Sequence, residues 1–213
     1  MTTISIVLVW HGLRSVNSDT HPTINRPSSP KCTNAKHGAK SRRTWRKLHL
    51  AVDAESGMIV AQVLTDQHAD DPSQVAPLLA QIDEEVAKLM ADGAYDGAPT
   101  YQTIAQFGDD IEVVIPPRKT AVPSTESNRL NQRDRHLDMI NTQGRIAWQT
   151  ATGYGQRSLV ETTMGRYKSL IGSRLRARGF EAQKTEAAIG VAVLNRMLAA
   201  GRPNSVRCKR PAA

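Results

Sequence analysis

Polar and apolar residues between positions 154 and 171 alternate with the period of an α-helix. Four polar side chains are separated by 3, 4 and 7 residues, which places all of them on one helix face at about 3.6 residues per turn. They are Tyr154, Arg157, Glu161 and Lys168. The apolar residues that follow position 158 fall largely on the opposite side, as in an amphipathic helix that packs on a core. The pattern predicts a helix that presents one carboxylate beside two cations and a phenol.

This polar face has an ordinary structural explanation as well. Arg157 and Glu161 are four residues apart, and such a pair on a solvated helix face stabilises the helix by about 0.2–0.5 kcal/mol. On spacing alone, a solvated face is the more common explanation. A second acidic segment changes the balance, because Asp92 follows directly on a short apolar run at 87–91. We therefore treat Asp92 and Glu161 as candidates for one shared site.

The remaining pattern predicts alternating strands and helices. A turn at 53–57 separates two runs rich in β-branched and apolar residues, which is typical of a β-hairpin. Downstream, short apolar runs alternate with longer segments of helical period. The predicted strands cover residues 47–52, 58–65, 87–91 and 111–115, and the predicted helices cover 72–86, 98–107, 136–148, 154–171 and 185–199.

The first 35 residues differ from the rest of the chain. Residues 4–10 are apolar and predict a strand, because they lack the basic region and the cleavage site of a secretion signal. Residues 15–34 are rich in Ser, Thr, Asn and Pro, without a period, and predict irregular structure. We therefore divide the chain into an irregular or disordered segment at 1–35, a folded domain at 36–202 and a basic tail at 203–213.

The charge of the chain is strongly positive. There are 28 Lys and Arg residues against 20 Asp and Glu residues, a net charge of +8 at pH 7. This excess favours a polyanionic partner, most often nucleic acid, although a merely soluble basic protein has the same balance. Cys32 and Cys208 show neither zinc spacing nor a disulfide framework, which is compatible with a reducing cytoplasm. No apolar run approaches the roughly 18 residues of a membrane span.

The order of the predicted elements indicates a fold class. Two strands, a helix, a strand that ends in an acid, another strand and a helix that carries an acid follow one another. This is the order of an RNase H-like α/β domain, in which helices flank a mixed sheet. Carboxylates from such elements bind Mg²⁺ or Mn²⁺ ions that promote in-line displacement at a phosphodiester. In that scheme Asp92 and Glu161 are metal ligands, while Arg157 and Lys168 neutralise phosphate charge.

Two further basic clusters are candidates for DNA contacts. They are Arg42, Arg43 and Arg46 around Trp45, and Arg118 with Lys119 after a pair of prolines. In the first cluster the cations are suited to phosphates and the indole to stacking. An edge strand protected by charge explains that cluster equally well.

Several motifs resemble one known family. The spacing Tyr154-x2-Arg157-x3-Glu161-x6-Lys168 resembles the Y-R-E-K signature of insertion-sequence DDE transposases of the IS-four-like superfamily. The sequence DGAYD at 92–96 is similar to the second-acid motif of that family. The segments 43–49, 115–119 and 194–197 also resemble family blocks, in the same order. The resemblance extends from about residue 36 to residue 202.

This resemblance implies a function. Residues 36–202 would form an RNase H-like transposase catalytic domain, with Asp92 and Glu161 as the second and third catalytic acids. The implied cofactor is Mg²⁺ or Mn²⁺, and the implied partner is DNA at insertion-sequence ends, together with a second copy or an intact transposase. The implied location is the cytoplasm, in association with the nucleoid. Asp96, four residues after Asp92, is either a support for the site or a helix cap.

The first acid of the family departs from the expected pattern. In the family it ends the first strand, yet Trp10 and His11 follow the apolar run here, and Asp19 is the doubtful candidate near the expected spacing. The resemblance thus implies a domain that is incomplete at its N-terminus, in a truncated or frame-shifted and defective copy. The alternative is a non-catalytic DNA-binding remnant that interferes with an intact transposase, and a stand-alone metal-dependent nuclease is a third hypothesis. Whether the chain is an enzyme stays open at this point.

Overall fold

A five-stranded mixed sheet forms the centre of the described part of the protein. The computed structural model describes residues 3–15, 44–123 and 131–201. The strands are β1 (Thr3–Ser15), β2 (Thr44–Asp53), β3 (Ile59–Asp66), β4 (Glu85–Met90) and β5 (Glu112–Val114). Their order is β3-β2-β1-β4-β5, in which β1, β2 and β3 pair antiparallel while β4 and β5 run parallel to β1. The predicted mixed α/β class is therefore confirmed.

Strand β1 lies within the segment 1–35 that was predicted to be irregular. It is the central strand of the sheet, with Val7 opposite Val52 of β2 on one side and Met90 of β4 on the other. The apolar run at 4–10 is a strand as predicted, but the assignment of 1–35 to an irregular segment is wrong for Thr3–Ser15. Composition does not reveal this, because the pairing partners of β1 lie far along the chain. Residues 16–43, with Asp19, Arg42 and Arg43, lie outside the described residues, as does the tail after position 201.

Six α-helices flank the sheet in the described part of the chain. They are α1 (Val75–Leu79), α2 (Ala98–Ala105), α3 (Gln132–Gln143), α4 (Arg145–Thr152), α5 (Ser158–Arg166) and α6 (Phe180–Ala199). The helix predicted at 72–86 is mostly replaced by the short α1, after which the chain enters β4 at Glu85. The helix predicted at 136–148 is two helices, because Gly144 separates them with a φ of 86° that favours glycine. None of the described helices is long and apolar enough to cross a membrane.

The core has two parts, one on each face of the sheet. Alternate residues of β2 divide between them, since Leu48, Leu50 and Val52 belong to one cluster and Ala51 to the other. The first cluster includes residues of α4, α5 and α6, and the second includes residues of α1 and α2. The protein is thus a three-layer structure in which α5 and α1 lie on opposite faces.

The edge strand β3 is tied to α6 through a side chain. Asn195 accepts a hydrogen bond from the Ile59 amide at 2.9 Å and donates one to the Ile59 carbonyl at 2.8 Å. Gln81 likewise accepts from the Gln62 amide at 3.2 Å. These contacts satisfy backbone groups that an exposed edge would otherwise leave open for pairing with another chain. Asn195, within the family-like segment 194–197, therefore has a structural role.

Candidate active site

Asp92 lies immediately beyond the carboxyl end of β4. Met90 and Ala91 before it are buried, and the chain then forms a 3₁₀ turn at Gly93–Tyr95. Asp92 precedes this turn with extended backbone, and its Oδ1 accepts a hydrogen bond from the Ala94 amide at 2.8 Å. Among the described residues, no donor occupies its second carboxylate oxygen.

An open cleft extends from this turn to the start of helix α5. Its volume is about 750 Å³. It is bordered by Asp92–Ala94, by the loop after β5, by the first residue of α4 and by the 3₁₀ turn Tyr154–Arg157. The predicted site residues along the cleft are Asp92, Arg118, Lys119, Tyr154 and Arg157. The fold thus brings together residues from segments as far apart in sequence as 92–94, 116–119 and 145–157.

Arg145 is a cleft residue that the sequence analysis missed. It begins α4 directly after Gly144, and its Nη2 donates to the Pro117 carbonyl at 3.3 Å. Its side chain therefore crosses from α4 to the loop that carries Arg118 and Lys119. A basic residue after a glycine is a weak signal, because many exposed helix starts have the same pattern. Only the packing of α4 against this loop gives Arg145 its position.

Tyr154 borders the cleft, and charged side chains of both signs act on its phenol. Burial raises the pKa of its phenol; Arg157 and Arg145 oppose the rise, while Asp92 and Glu161 add to it. The ring packs against Trp148 with a centroid distance of 5.1 Å, and the Arg157 guanidinium lies 5.8 Å from the Tyr154 ring centroid.

Glu161 stands on the exposed face of α5. It forms an ion pair with Arg157, four residues earlier, and its side chain is 60% exposed. Glu161 does not itself border the cleft; Arg157 connects it to the cleft wall. The predicted Arg157–Glu161 pair is therefore present, in the i,i+4 geometry of a helix surface. The carboxylate is accessible, but a cation of the protein already neutralises it.

Lys168 is placed by a different kind of helix from the one predicted. The segment 154–171 is a 3₁₀ turn at Tyr154–Arg157, the α-helix α5 and a π-helical turn at Tyr167–Ile171. These helices differ in residues per turn, so the projection at 3.6 residues per turn does not extend to Lys168. Lys168 is not among the residues that border the cleft.

Trp45 and Arg46, the described residues of the first basic cluster, do not border the cleft. Arg46 donates from Nε to Gln183 at 2.9 Å, and its guanidinium lies 4.9 Å from the Phe180 ring centroid. Trp45 is 40% exposed, with the Arg14 guanidinium 5.4 Å from its ring centroid. The strand register places Arg46 four residues beyond the level of Asp92, roughly 13 Å along the sheet. Arg46 therefore holds α6 rather than lining the cleft.

The described residues supply two of the three acids that the sequence analysis expects. Strand β1 lies parallel to β4 with Val7 opposite Met90, which puts Asp92 level with the segment around Val9. Thr3–Ser15 contains neither Asp nor Glu, and Asp19 lies outside the described residues. Within those residues no group of three or more His, Cys, Asp and Glu side chains could hold a metal ion. Asp92 and Glu161 offer the oxygen ligands that Mg²⁺ and Mn²⁺ prefer, but only as a pair.

Comparisons with known proteins give a family model and several solved structures. Residues 21–196 match the family model described as the transposase DDE domain. The fold is similar to the piggyBac transposase in its synaptic complex with hairpin DNA, with a TM-score of 0.50, 9% identity, and coverage of 92% of this chain and 46% of that chain. The Mos1 transposase paired-end complex with the left transposon end matches at a TM-score of 0.37 and 10% identity, over 91% of this chain and 53% of that chain. This chain spans about half the length of these two transposase chains. Since the family model covers most of the sequence, the chain belongs to the transposase DDE domain family.

Proposed function

We propose that residues around this cleft form the catalytic site of an insertion-sequence transposase of the IS-four-like superfamily. The sheet supports an RNase H-like fold for this site, because β1 to β3 are antiparallel and β4 and β5 run parallel to β1 in the order β3-β2-β1-β4-β5. Asp92 at the end of β4 and Glu161 on α5 would be the second and third acids. The observation that carries the proposal is the cleft itself, which is bordered by Asp92 on one side and by Tyr154 and Arg157, the partner of Glu161, on the other.

The proposed chemistry is phosphodiester cleavage and joining at insertion-sequence ends. Bound Mg²⁺ or Mn²⁺ would activate the attacking water or 3′-hydroxyl and stabilise the oxygen that leaves the phosphorus. Asp92 and Glu161 would supply carboxylate oxygens for that ion, with Glu161 exchanging its pairing with Arg157 for the metal. Arg157 is then free for a phosphate, and a guanidinium is suited to a two-point contact.

The cations of the cleft would hold the DNA backbone. Arg118, Lys119, Arg145 and Arg157 all border the cleft, and the whole chain carries a net charge of +8. Contacts of this type position DNA without reading its sequence, and their affinity falls steeply with salt. The proposed partners are the terminal repeats of the insertion sequence and a second copy or an intact transposase, on nucleoid DNA in the cytoplasm.

The lack of an acid in the described strand β1 supports a narrower proposal, that this copy is defective. Strand β1 passes Asp92 without an Asp or Glu between Thr3 and Ser15. Asp19 remains the candidate for the first acid. Without it, two carboxylates would hold metal weakly, as expected of a truncated or frame-shifted copy. An acid followed by Ser or Thr, encoded after an apolar strand in another reading frame upstream of codon 36, would identify the frameshift.

A second candidate function is a non-catalytic remnant that binds DNA and interferes with an intact transposase. The specific observation in its favour is that the cleft combines four cations with the single carboxylate of Asp92. Such a surface retains the means to bind a phosphate backbone when the metal ligands are incomplete.

Nicking of supercoiled DNA in Mg²⁺ or Mn²⁺ distinguishes the working catalytic site from the non-catalytic remnant. The variants are Asp92→Asn and Glu161→Gln, and Glu112→Gln is the matched control, an exposed acid on β5 that pairs with Lys88. A working site predicts that nicking falls about a hundredfold or more in both variants and persists in the control. Absent nicking with salt-sensitive DNA binding favours the remnant. Absence of both activities contradicts both functions.

A further inference from the structure

Asp96 joins three elements through a buried carboxylate. Its side chain is 1% exposed. From α3, Arg133 donates Nε to Oδ1 at 2.7 Å and Nη2 to Oδ2 at 3.3 Å. From the loop after β5, the Arg118 amide donates to Oδ2 at 2.9 Å. Asp96 does not cap helix α2, because Gly97 precedes that helix and no side chain caps it.

The Arg118 side chain returns to the turn that follows Asp92. Its Nε donates to the Gly93 carbonyl at 3.4 Å and its Nη2 to the Ala94 carbonyl at 3.2 Å. The two loops are also in close contact, since a Cβ on Gly93 would lie 3.3 Å from the Pro116 carbonyl oxygen. The Ala94 amide in turn donates to Asp92. A continuous series of hydrogen bonds therefore runs from Arg133 through Asp96 and the two loops to the Asp92 carboxylate.

We propose that Asp96 is a positioning residue, which fixes the Asp92 turn and the Arg118 loop in one arrangement at the cleft. Its own carboxylate is enclosed by Arg133 and the Arg118 amide and has no route to a ligand. Its effect passes through Asp92 and Arg118 instead. Only what the cleft binds rests on the proposed function; the fixing of the two loops does not.

Amide hydrogen exchange tests the fixing of the loops directly. In Asp96→Ala the Arg118 amide loses its acceptor and the Ala94 turn loses its support, so exchange at both amides should rise about tenfold or more relative to β2. Asp96→Asn keeps an acceptor oxygen and the side-chain volume, and should give a smaller rise at the same amides. It also serves as the test variant should Asp96→Ala fail to fold. The matched control is Val191→Ala in the buried face of α6, which removes core volume and should produce no selective rise at these two amides.

DNA affinity supplies the readout that a purely structural role would not move. Asp96→Ala should weaken binding about as much as Arg118→Ala does, roughly tenfold, and the double variant should lose no more than either single variant. Val191→Ala should bind as the wild type does. Two results overturn the proposal: exchange that rises uniformly, or losses of affinity that add. If wild-type protein fails to bind DNA, the proposed function fails, and the exchange result still decides the role of Asp96.

Discussion

Asp92 directly follows the buried carboxyl end of β4, whereas Glu161 lies on a solvent-exposed face of α5. Residues 90, 91 and 95 around Asp92 are fully buried, and one of its oxygens is bound by a backbone amide. The Glu161 side chain is 60% exposed and held by Arg157. The comparison teaches that the sheet fixes the position of one carboxylate before any ligand arrives. The other carboxylate depends on a surface ion pair, which a metal or phosphate can exchange.

The backbone of the Glu161 side is nevertheless well anchored. Val160, Met164 and Tyr167 on the opposite face of the segment are buried in the core cluster shared with α6. The close approach of Tyr167 to α6 depends on Gly190, since a Cβ there would lie 2.8 Å from the Tyr167 hydroxyl oxygen and 2.9 Å from Ile171 Cγ2. The two sides of the cleft therefore differ in how the carboxylate is held, rather than in how the chain is packed.

The largest expected effect is a loss of folding stability at acidic pH, on the Asp92 side of the molecule. Burial lowers the pKa of His49 on β2 to about 4, and Asp71 acts electrostatically on both His49 and Tyr95, the buried tyrosine after Asp92. Because the folded state disfavours the charged imidazole, stability is full above the unfolded pKa of about 6.5 and is lost as the pH falls from there toward 4. We expect about 2 kcal/mol of unfolding free energy to be lost between pH 7 and pH 5.

Urea denaturation at the two pH values measures this loss. His49→Gln should reduce the pH dependence, and His68→Gln, at an exposed position, should leave it unchanged. Some dependence should remain in His49→Gln, since burial also lowers the pKa of His136. Equal pH dependence in wild type and His49→Gln would show that His49 is not the source.

The next effect concerns the packing of the Glu161 side. Gly190→Ala should destabilise the protein by about 1–3 kcal/mol, because the new methyl group collides with Tyr167 and Ile171. The matched control is Gly165→Ala in α5, where a Cβ meets nothing within 4 Å, and which should stabilise by about 0.5–1 kcal/mol. Thermal melting of both variants checks the opposite signs. A fall in melting temperature of the same size in both variants would contradict this packing.

The smallest effect is expected from the surface ion pair itself. Arg157→Gln should change the unfolding free energy by less than about 0.5 kcal/mol, because an exposed i,i+4 pair contributes little. The same substitution should weaken DNA binding. It should also reduce the slope of log K against log salt concentration by about one. Denaturation and binding measured side by side separate the two roles. A large loss of stability with unchanged DNA affinity would make the pair structural.

The sequence pattern predicts the local structure better than the contacts between segments. The strand that ends at Asp92 and the helical segment that carries Glu161 follow from apolar runs and from helical period. The pattern does not reveal the break at Gly144, because a glycine permits a positive φ without requiring it, nor the π-helical turn after Arg166. The strand predicted at 4–10 is also shorter than β1 (Thr3–Ser15), because the polar end of β1 is held by pairing with β2.

The long-range hydrogen bonds of the site could not be predicted from one sequence. The Asp96–Arg133 pair joins residues 37 positions apart. Arg145 reaches the loop at Pro117 only because α4 folds against it. Charge and spacing identify which residues suit the chemistry, whereas the register of the sheet and the packing of the helices decide which of them meet.

Binding of Mn²⁺, followed by electron paramagnetic resonance, tests the central claim that Asp92 and Glu161 hold one divalent ion. We predict that Asp92→Asn and Glu161→Gln each weaken Mn²⁺ binding about tenfold or more, because affinity depends on the number of charged oxygen ligands. Glu112→Gln, which changes an acid that pairs with Lys88, should bind Mn²⁺ as the wild type does. Wild-type affinity in both Asp92→Asn and Glu161→Gln would contradict the shared site.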